Sequence, residues 1–218
     1  MKEIYLIRHA STEYNRLGRP IDSEINVPIN NDGKQQALKT GHYLLDYRVN
    51  HKPFDAIYSS PMIRTVQTAS IIKEVIGYTK DIIDDDLLIE RKQGKMTSID
   101  HKLSNQIKKF KNSLYTKDPI ADKLNEDDIY EQIESKFKIG KETDLELSKR
   151  CELFMEKVIN SQYDKIIVIS HGSYLSCLIR TIFKIPHINY GDNCFISYMI
   201  YDNGFKLITT PNTQHLTI

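Results

Sequence analysis

Three short apolar runs restrict what this chain can fold into. They cover residues 4–7, 56–58 and 166–169, and polar residues bound each of them. Each run contains Ile or Val, and runs of this length and composition are typical of buried strands. Segments with a helical pattern follow the runs, so the chain alternates between strand and helix. This alternation is the mark of an α/β domain.

Helical patterns fill the segments that separate the runs. Between the first two, the stretch GKQQALKTGHYLLDYRV predicts a helix that starts near Asp32 as its cap. After the second, SSPMIRTVQTASIIKEVI predicts a helix with Ser59 or Ser60 as its cap and Pro61 in its first turn. We therefore predict an α/β fold of three layers, α/β/α, with a mostly parallel central sheet.

The second half of the chain adds an insertion and a hairpin. Residues 98–140 are densely charged, and we interpret them as a helical insertion within a single domain of residues 1–218. An amphipathic helix follows, with an apolar face made of Leu145, Leu147, Cys151, Phe154, Met155 and Val158. A further helix is predicted over residues 173–183. The alternating stretch CFISYMIYDNGFKLITT predicts an antiparallel hairpin around its Asp-Asn-Gly turn.

The composition argues against several classes of protein. A net charge of +1 gives no overall attraction to nucleic acid or to an anionic membrane, so neither is an expected partner. The three cysteines, Cys151, Cys177 and Cys194, are too far apart for a CxxC pair or a zinc finger. No run reaches the ~18 apolar residues of a membrane span, and the apolar start is too short for a signal peptide. We expect a cytoplasmic protein.

Basic and imidazole side chains follow the predicted strands where those strands end. KEIYLIRHA ends in Arg8 and His9, and KIIVISHGS ends in His171 and Gly172. The third strand leads into SSPMIRT, which places Arg64 in the first turns of the next helix. Ligands bind at the carboxyl ends of parallel strands, so these side chains are expected to converge at one edge of the sheet.

A cluster of two arginines and two histidines suits a phosphoryl group. Guanidinium groups pair with its oxygens in a bidentate way, and helix N-termini add free N–H donors. Like-charge repulsion favours the neutral imidazole, which is a competent nucleophile. Positioning and charge neutralisation supply much of the catalysis in phosphoryl transfer, so no metal or cofactor is expected. A carboxyl group must protonate the leaving oxygen, and DDDLLIERKQG offers Glu90.

Six ordered blocks of the chain resemble the histidine phosphatase superfamily, which includes the cofactor-dependent phosphoglycerate mutases. RHASTEYN resembles the family pattern RHGxTxxN, PINNDGKQQA resembles PLTxxGxxQA, and YSSPMIRTVQTA resembles SSPLxRTxQTA. LLIERKQG resembles the acidic block, GKETDLELSKR resembles GESxxDxxxR, and ISHGSYL resembles the second histidine block. The blocks span nearly the whole chain, so the resemblance is specific.

The resemblance implies a role for each site residue. His9 is implied to carry a transient phosphoryl group, and Glu90 is implied to protonate the leaving group and then deprotonate water. Gly172 is implied to let the backbone approach the phosphate. The phosphoryl oxygens are implied to bind Arg8, Asn15, Arg64 and His171. The residues alone do not say which histidine is the nucleophile.

Two departures from the family pattern bear on activity. Ala10 replaces the usual glycine after Arg-His, which costs roughly 1 kcal/mol if that position needs a positive φ or a close approach. The first block ends in Thr-Glu-Tyr-Asn, without the tryptophan of the mutases. Arg91 and Gly94 nevertheless resemble the ERxxG of the mutases. Arg91 with nearby lysines forms either a second anion site or a solvated face; the lysines are Lys92, Lys95, Lys108, Lys109 and Lys111.

The preferred interpretation is a phosphatase that hydrolyses small phosphomonoesters through a phosphohistidine. The alternatives are a phosphoglycerate mutase and a non-catalytic module that binds a phosphorylated ligand. A serine hydrolase is disfavoured because no G-x-S-x-G elbow occurs. We expect the insertion at residues 98–140 to lie over the active site and to select the substrate. The expected partner is a small phosphorylated substrate, and a homodimer is possible.

Overall fold

A computed structural model describes residues 1–19, 21–49, 52–94, 101–116, 126–185 and 191–217. Within these residues the chain forms one six-stranded sheet and seven helices. The strands are β1 (Lys2–Arg8), β2 (Ala56–Ser59), β3 (Ile83–Asp84), β4 (Lys165–Ser170), β5 (Ile196–Tyr201) and β6 (Phe205–Asn212). The helices are α1 (Glu13–Arg16), α2 (Asn31–Val49), α3 (Ile63–Val75), α4 (His101–Thr116), α5 (Glu126–Phe137), α6 (Asp144–Ile159) and α7 (Gly172–Phe183).

The sheet has the strand order β3-β2-β4-β1-β5-β6. The first four strands are parallel, and β5 and β6 are antiparallel to their neighbours. The predicted α/β fold with a mostly parallel sheet is confirmed, and so is the C-terminal hairpin. The site depends on the pairing of β1 with β4. These two strands are adjacent at the centre of the sheet, although they come from opposite ends of the chain.

Helices cover both faces of the sheet, because apolar side chains point alternately to the two faces along each central strand. Ile4 and Leu6 of β1 face one core, which is closed by apolar side chains of α6 and α7. Tyr5 and Ile7 face the other core, together with Leu44 of α2 and residues of α3. Successive side chains of a strand point to opposite faces, so a run that is apolar throughout needs cover on both sides. The three-layer α/β/α arrangement is therefore confirmed.

The helix caps differ from the prediction at two places. Asn30, rather than Asp32, caps α2, because its Oδ1 accepts a hydrogen bond from the Gly33 N–H at 2.8 Å. The N-cap of α3 is Met62, which makes no side-chain cap bond, so the predicted cap at Ser59 or Ser60 is wrong. Ser59 is the last residue of β2 and α3 begins only at Ile63, so both serines lie before the cap position.

The amphipathic helix α6 begins at a capping box formed by Thr143 and Glu146. Five of the six predicted apolar residues are buried: Leu147, Cys151, Phe154, Met155 and Val158. Leu145 is 56% exposed, so its assignment to the buried face is wrong. It lies in the first turn, beside the capping box, where the helix has not yet reached the core.

The charged insertion is helical where the structure describes it. Helices α4 and α5 share a small core of their own, made of Ile107, Ile129, Ile133 and Ile139. Residues 98–100 and 117–125 of the predicted segment lie outside the described residues. The position of the insertion over the active site stays a prediction.

Among the described helices, none is both long and apolar enough to cross a membrane. The three cysteines are buried and free.

Gly33 lets the start of α2 pack against the loop that follows β1. A Cβ at this position would lie 2.2 Å from the Ser11 carbonyl oxygen, which is a backbone atom that cannot move aside cheaply. We expect Gly33→Ala to lower the free energy of unfolding by roughly 1–3 kcal/mol through overpacking. Urea unfolding measures the change. Gly204→Ala is the matched control because a Cβ there meets nothing within 4 Å. An equal effect of the two substitutions would contradict the close approach.

Candidate active site

The pairing of β1 with β4 brings two imidazole rings together. Arg8 is in register with Ser170, so His9 and His171, the next residue on each strand, meet beyond the strand ends. Their ring centroids are 5.4 Å apart. His9 is 2% exposed and His171 is fully buried. The structure thus places both histidines at the carboxyl edge of the sheet, where the sequence predicts them.

One hydrogen bond fixes the tautomer of His9. Its Nδ1 lies 2.8 Å from the Ala10 carbonyl oxygen, which can only accept. Nδ1 therefore carries the hydrogen, and Nε2 keeps a free lone pair. Burial, followed by the positive charges of Arg8 and Arg64, lowers the pKa of His9 well below its usual value. The ring is neutral at physiological pH and offers a nucleophilic nitrogen.

His171 has the opposite arrangement around its ring. The Arg64 Nε–H donates to His171 Nδ1 at 3.2 Å, so Nδ1 is the acceptor and Nε2 carries the hydrogen. That Nε2–H is 2.9 Å from the Ser60 hydroxyl oxygen. Burial and the charge of Arg64 lower the pKa of His171 well below its usual value. His171 is therefore a neutral hydrogen-bond donor beside the nucleophilic nitrogen of His9.

Arg64 is a fully buried guanidinium. Nη1 donates to the Ile25 carbonyl at 2.8 Å and Nη2 to the Asp22 carbonyl at 3.3 Å, which fixes the plane of the group. Burial lowers its pKa to about 10, so the group remains charged at neutral pH. A buried cation held by carbonyls and an imidazole provides positive charge for a bound anion.

Arg8 contributes a second guanidinium with unused hydrogen-bonding capacity. Its Nη1 donates to the Gly191 carbonyl. Its Nε is buried and has no hydrogen-bond partner within the described part of the chain. Burial lowers the pKa of Arg8 as well. Buried donors are normally satisfied, so an orphaned N–H beside His9 is consistent with a site that an anion completes.

Glu90 lies at the N-terminus of α7, the helix that directly follows His171. Its Oε1 accepts from the backbone N–H groups of Arg91 at 2.8 Å and Tyr174 at 3.1 Å, and its Oε2 accepts from Ser173 at 3.3 Å. The carboxyl group is 7% exposed, and its charge acts on both Arg8 and Arg64. The acidic group and the cations therefore share one buried region.

Asn15 and Gly172 each keep one free donor. Asn15 Oδ1 accepts from Thr12 N, Thr12 Oγ1 and Asn193 Nδ2. The Asn15 Nδ2 group has no hydrogen-bond partner among the described residues. The Gly172 N–H, the first of α7, has no partner among residues the structure describes. Both donors are of the kind that bind phosphoryl oxygens.

Sequence comparison decides the family to which this site belongs. The sequence model of the histidine phosphatase superfamily (branch 1) matches residues 4–214. The chain belongs to the histidine phosphatase superfamily. A protein named "Probable phosphoglycerate mutase GpmB" from Proteus mirabilis is 28% identical over 235 residues, covering 100% of this chain and 96% of that protein.

Two solved structures share the fold of this histidine phosphatase family member. A phosphoglycerate mutase from Bacillus anthracis superposes with a TM-score of 0.78 at 18% identity, over 99% of this chain and 95% of that one. A phosphoserine phosphatase from Entamoeba histolytica, in complex with 3-phosphoglyceric acid, superposes with a TM-score of 0.68 at 24% identity, over 99% and 100%. Mutases and phosphatases thus both occur among proteins with this fold.

Arg91 is placed differently from the other predicted site residues. Its guanidinium pairs with Asp144 at the start of α6, and Asp144 also pairs with Arg180. Among the residues that the structure describes, no hydrogen bond or ion pair joins the Arg91 side chain to His9, His171 or the other two arginines. Lys95 lies outside the described residues. Lys108 and Lys111 line a separate cavity of about 230 Å³ in the insertion, to which neither imidazole contributes.

Three polar residues at the site were not predicted from the sequence as site residues. Ser60 accepts from His171, and the Thr68 hydroxyl accepts from the Ala10 N–H at 3.0 Å. Asn193 Nδ2 donates to the His9 carbonyl at 3.0 Å and to Asn15 Oδ1 at 3.3 Å, which links two site residues from a distant loop. Only Ser60 had a signal, since it follows a strand next to β4.

Ala10 is compatible with the observed backbone. It is not among the described non-glycine residues with positive φ, so the expected penalty for a left-handed conformation does not arise. Its methyl group packs with Ile29, Ala37 and Cys194.

No group of three or more His, Cys, Asp or Glu side chains is arranged to hold a metal ion in the portion of the chain that the structure describes.

The neutral histidines predict how stability depends on pH. His9 and His171 resist protonation in the native state, whereas the unfolded chain takes up these protons near pH 6.5. Below that pH the unfolded state binds more protons, so the free energy of unfolding falls as the pH decreases, by up to about 1.4 kcal/mol per pH unit for each ring. His215, whose pKa burial lowers to about 4, acts in the same direction. Above pH 6.5 these groups contribute no slope.

Urea unfolding at several pH values measures this slope. His9→Gln removes one titrating ring and is expected to reduce the slope below pH 6.5. A free energy of unfolding that stays constant down to about pH 5 would show that the buried rings accept protons freely.

Proposed function

We propose that this protein is a phosphatase that hydrolyses small phosphomonoesters through a phosphohistidine intermediate at His9. One observation carries the proposal: the His9 imidazole is buried and neutral, and the lone pair of its Nε2 is free. The ring lies beside two guanidinium groups and a second imidazole that donates a hydrogen bond. A nucleophile surrounded by fixed cations suits a dianionic phosphoryl group.

The mechanism follows from the positions of these groups. Nε2 of His9 attacks phosphorus, the bond from phosphorus to the ester oxygen breaks, and Glu90 gives its proton to that oxygen. Arg8 and Arg64 offset the charge on the equatorial oxygens, and the neutral His171 turns its Nε2–H from Ser60 to donate to one of them. A water molecule then attacks the phosphohistidine, Glu90 takes a proton from it, and inorganic phosphate leaves with His9 restored.

The donors with no partner complete the phosphoryl site. We propose that Asn15 Nδ2 and the Gly172 N–H bind phosphoryl oxygens, because neither has a hydrogen-bond partner among the described residues. The Arg8 Nε, which is buried without a partner, supports the same role for Arg8.

Hydrolysis is favoured over the mutase reaction by the environment of Arg91. A mutase needs a second anion site to retain a bisphosphate, and Arg91 is the residue whose sequence pattern pointed to one. Its Nη2 is paired with the Asp144 carboxylate, which offsets the charge that a second anion would need, and its Nε is buried without a partner in the described part of the chain. The absence of the tryptophan of the mutases from the first block supports the same choice. The mutase reaction remains the second candidate, because the relative from Proteus mirabilis carries a mutase name.

The substrate is proposed to be a small phosphorylated metabolite in the cytoplasm. Fold relatives include a phosphoserine phosphatase and a mycobacterial glucosyl-3-phosphoglycerate phosphatase with a TM-score of 0.66. We propose that the insertion lies over the site and selects among such compounds. No cofactor is proposed, and a homodimer is compatible with this function.

A product assay separates the two candidate reactions. The protein is incubated with phosphorylated metabolites, including phosphoserine and 3-phosphoglycerate, the latter with and without the 2,3-bisphosphate. We expect release of inorganic phosphate to exceed formation of 2-phosphoglycerate under both conditions. Bisphosphate-dependent isomerisation faster than hydrolysis would identify a mutase. Tight phosphate binding without turnover of any ester would identify a binding module.

A further inference from the structure

Arg150 of α6 holds the loop that carries Glu90. Its Nη1 donates to the carbonyl oxygens of Leu87, at 2.8 Å, and Ile89, at 2.5 Å. Its Nε and Nη2 donate to the two carboxylate oxygens of Glu142 at 2.9 and 2.8 Å. Ile89 directly precedes Glu90, so one guanidinium fork is bonded to the chain just before the carboxyl group.

Glu142 holds the same loop on the other side of Glu90. Its Oε2 accepts from the Lys92 N–H at 3.2 Å, and its own N–H donates to the Lys92 carbonyl at 2.9 Å. The paired side chains of Arg150 and Glu142 thus contact the loop both before and after the carboxyl group. They come from the block GKETDLELSKR, to which the proposed mechanism gives no role.

The loop needs such support because it has no regular structure of its own. Residues 89–93 belong to no helix or strand. A carboxyl group that must meet a leaving oxygen has to be held within a fraction of an ångström, and loops are less precise than helices and strands. Both side chains of the pair are largely buried. A buried ion pair is weak evidence for stability, and a fixed geometry is a better explanation for its presence.

We propose that Arg150 and Glu142 form a positioning pair that sets the distance of the Glu90 carboxyl group from the leaving oxygen. This inference rests on the proposed role of Glu90 as the acid. Neither residue of the pair contacts the phosphoryl site directly. The charge of Arg150 also acts on His171, so a variant that keeps this charge isolates the effect on the step that needs proton transfer.

The test compares two esters that differ in how much they need an acid. The nitrophenolate of p-nitrophenyl phosphate leaves without protonation, whereas the alkoxide of glycerol phosphate does not. We expect Arg150→Lys, which keeps the charge but loses the fork, to lower kcat for glycerol phosphate by about tenfold or more. For p-nitrophenyl phosphate it is expected to lower kcat by less than about twofold. Glu142→Gln should show the same selectivity.

Two further variants serve as references for this comparison of the two esters. Glu90→Gln defines the signature of losing the acid. Lys157→Met removes another ion pair of α6, with Asp85, whose hydrogen bonds to this loop reach Leu87 and Leu88 but not residues 89–92. If Glu90→Gln is selective and both pair variants slow the two esters equally, the positioning role is overturned alone. If Glu90→Gln is not selective, the role of Glu90 and this inference fail together. Thermal unfolding identifies any variant that fails to fold, and the other member of the pair then decides.

Discussion

His9→Ala is expected to reduce the turnover of every phosphomonoester by at least about 10³-fold, because the substitution removes the attacking atom. The neighbouring groups that bind phosphate remain, so KM or the affinity for inorganic phosphate changes far less than kcat. His42→Ala is the matched control, since His42 is an exposed histidine on α2. A variant that keeps substantial turnover would show that His9 is not the nucleophile.

Trapping of the intermediate gives this prediction a second measurement. The wild-type protein, mixed briefly with a labelled phosphomonoester and denatured in alkali, should retain the label as a phosphoramidate, which acid then releases. His9→Ala should retain none. Label that persists in His9→Ala, and is absent from a His171→Ala variant, would transfer the nucleophilic role to the other ring.

Arg64→Met is expected to lower kcat/KM by roughly 10²–10³-fold. The substitution removes a buried positive charge and leaves His171 Nδ1 without the donor that fixes its tautomer. His171 can then rotate or exchange its proton between the two nitrogens, so two of the groups that bind the phosphoryl oxygens are affected at once. Affinity for vanadate, a phosphate analogue, should fall in parallel with kcat/KM.

Two substitutions control the prediction for Arg64. Arg64→Lys keeps a cation but has no Nε–H at the right place and no planar fork, so an intermediate loss is expected. Arg16→Met removes an exposed arginine that pairs with Glu13, and should leave turnover unchanged. If Arg64→Met bound vanadate as tightly as the wild type, Arg64 would have a structural role, and circular dichroism would show whether the fold had changed.

Much of the fold could be predicted because the central strands consist almost entirely of apolar residues. Residues 166–169 are apolar throughout, which happens only where both faces of a strand are covered. The place where His9 and His171 meet followed from the same reasoning, since both are the first polar positions beyond neighbouring strands. The identity of the neighbours, β1 and β4, was an assumption at that stage, as pairing between distant segments has no local signature.

What the sequence missed depends on contacts between distant segments. Ser60 resembles a helix cap because serine before a proline at the start of a helix usually is one. In the folded chain its hydroxyl is bonded to His171, from the next strand across the sheet. Asn193 gave no signal, since its link to His9 and Asn15 exists only once the C-terminal loop returns to the first strand. The pairing of Arg91 with Asp144 likewise joins distant segments and had no local signal, and the binding role predicted for Arg91 stays a prediction.

The central location of β1 has a consequence for how the protein is assembled. The groups proposed to bind phosphate come from both ends and the middle of the chain, and they meet only when β4 has joined β1 and β2. A nascent chain that lacks its last fifty or so residues has the nucleophile but not its partner ring. If the proposed site is right, we expect vanadate to bind the completed sheet alone and to stabilise it by RT ln(1 + [L]/Kd). Protection by vanadate is thus a direct readout of correct refolding, independent of any turnover.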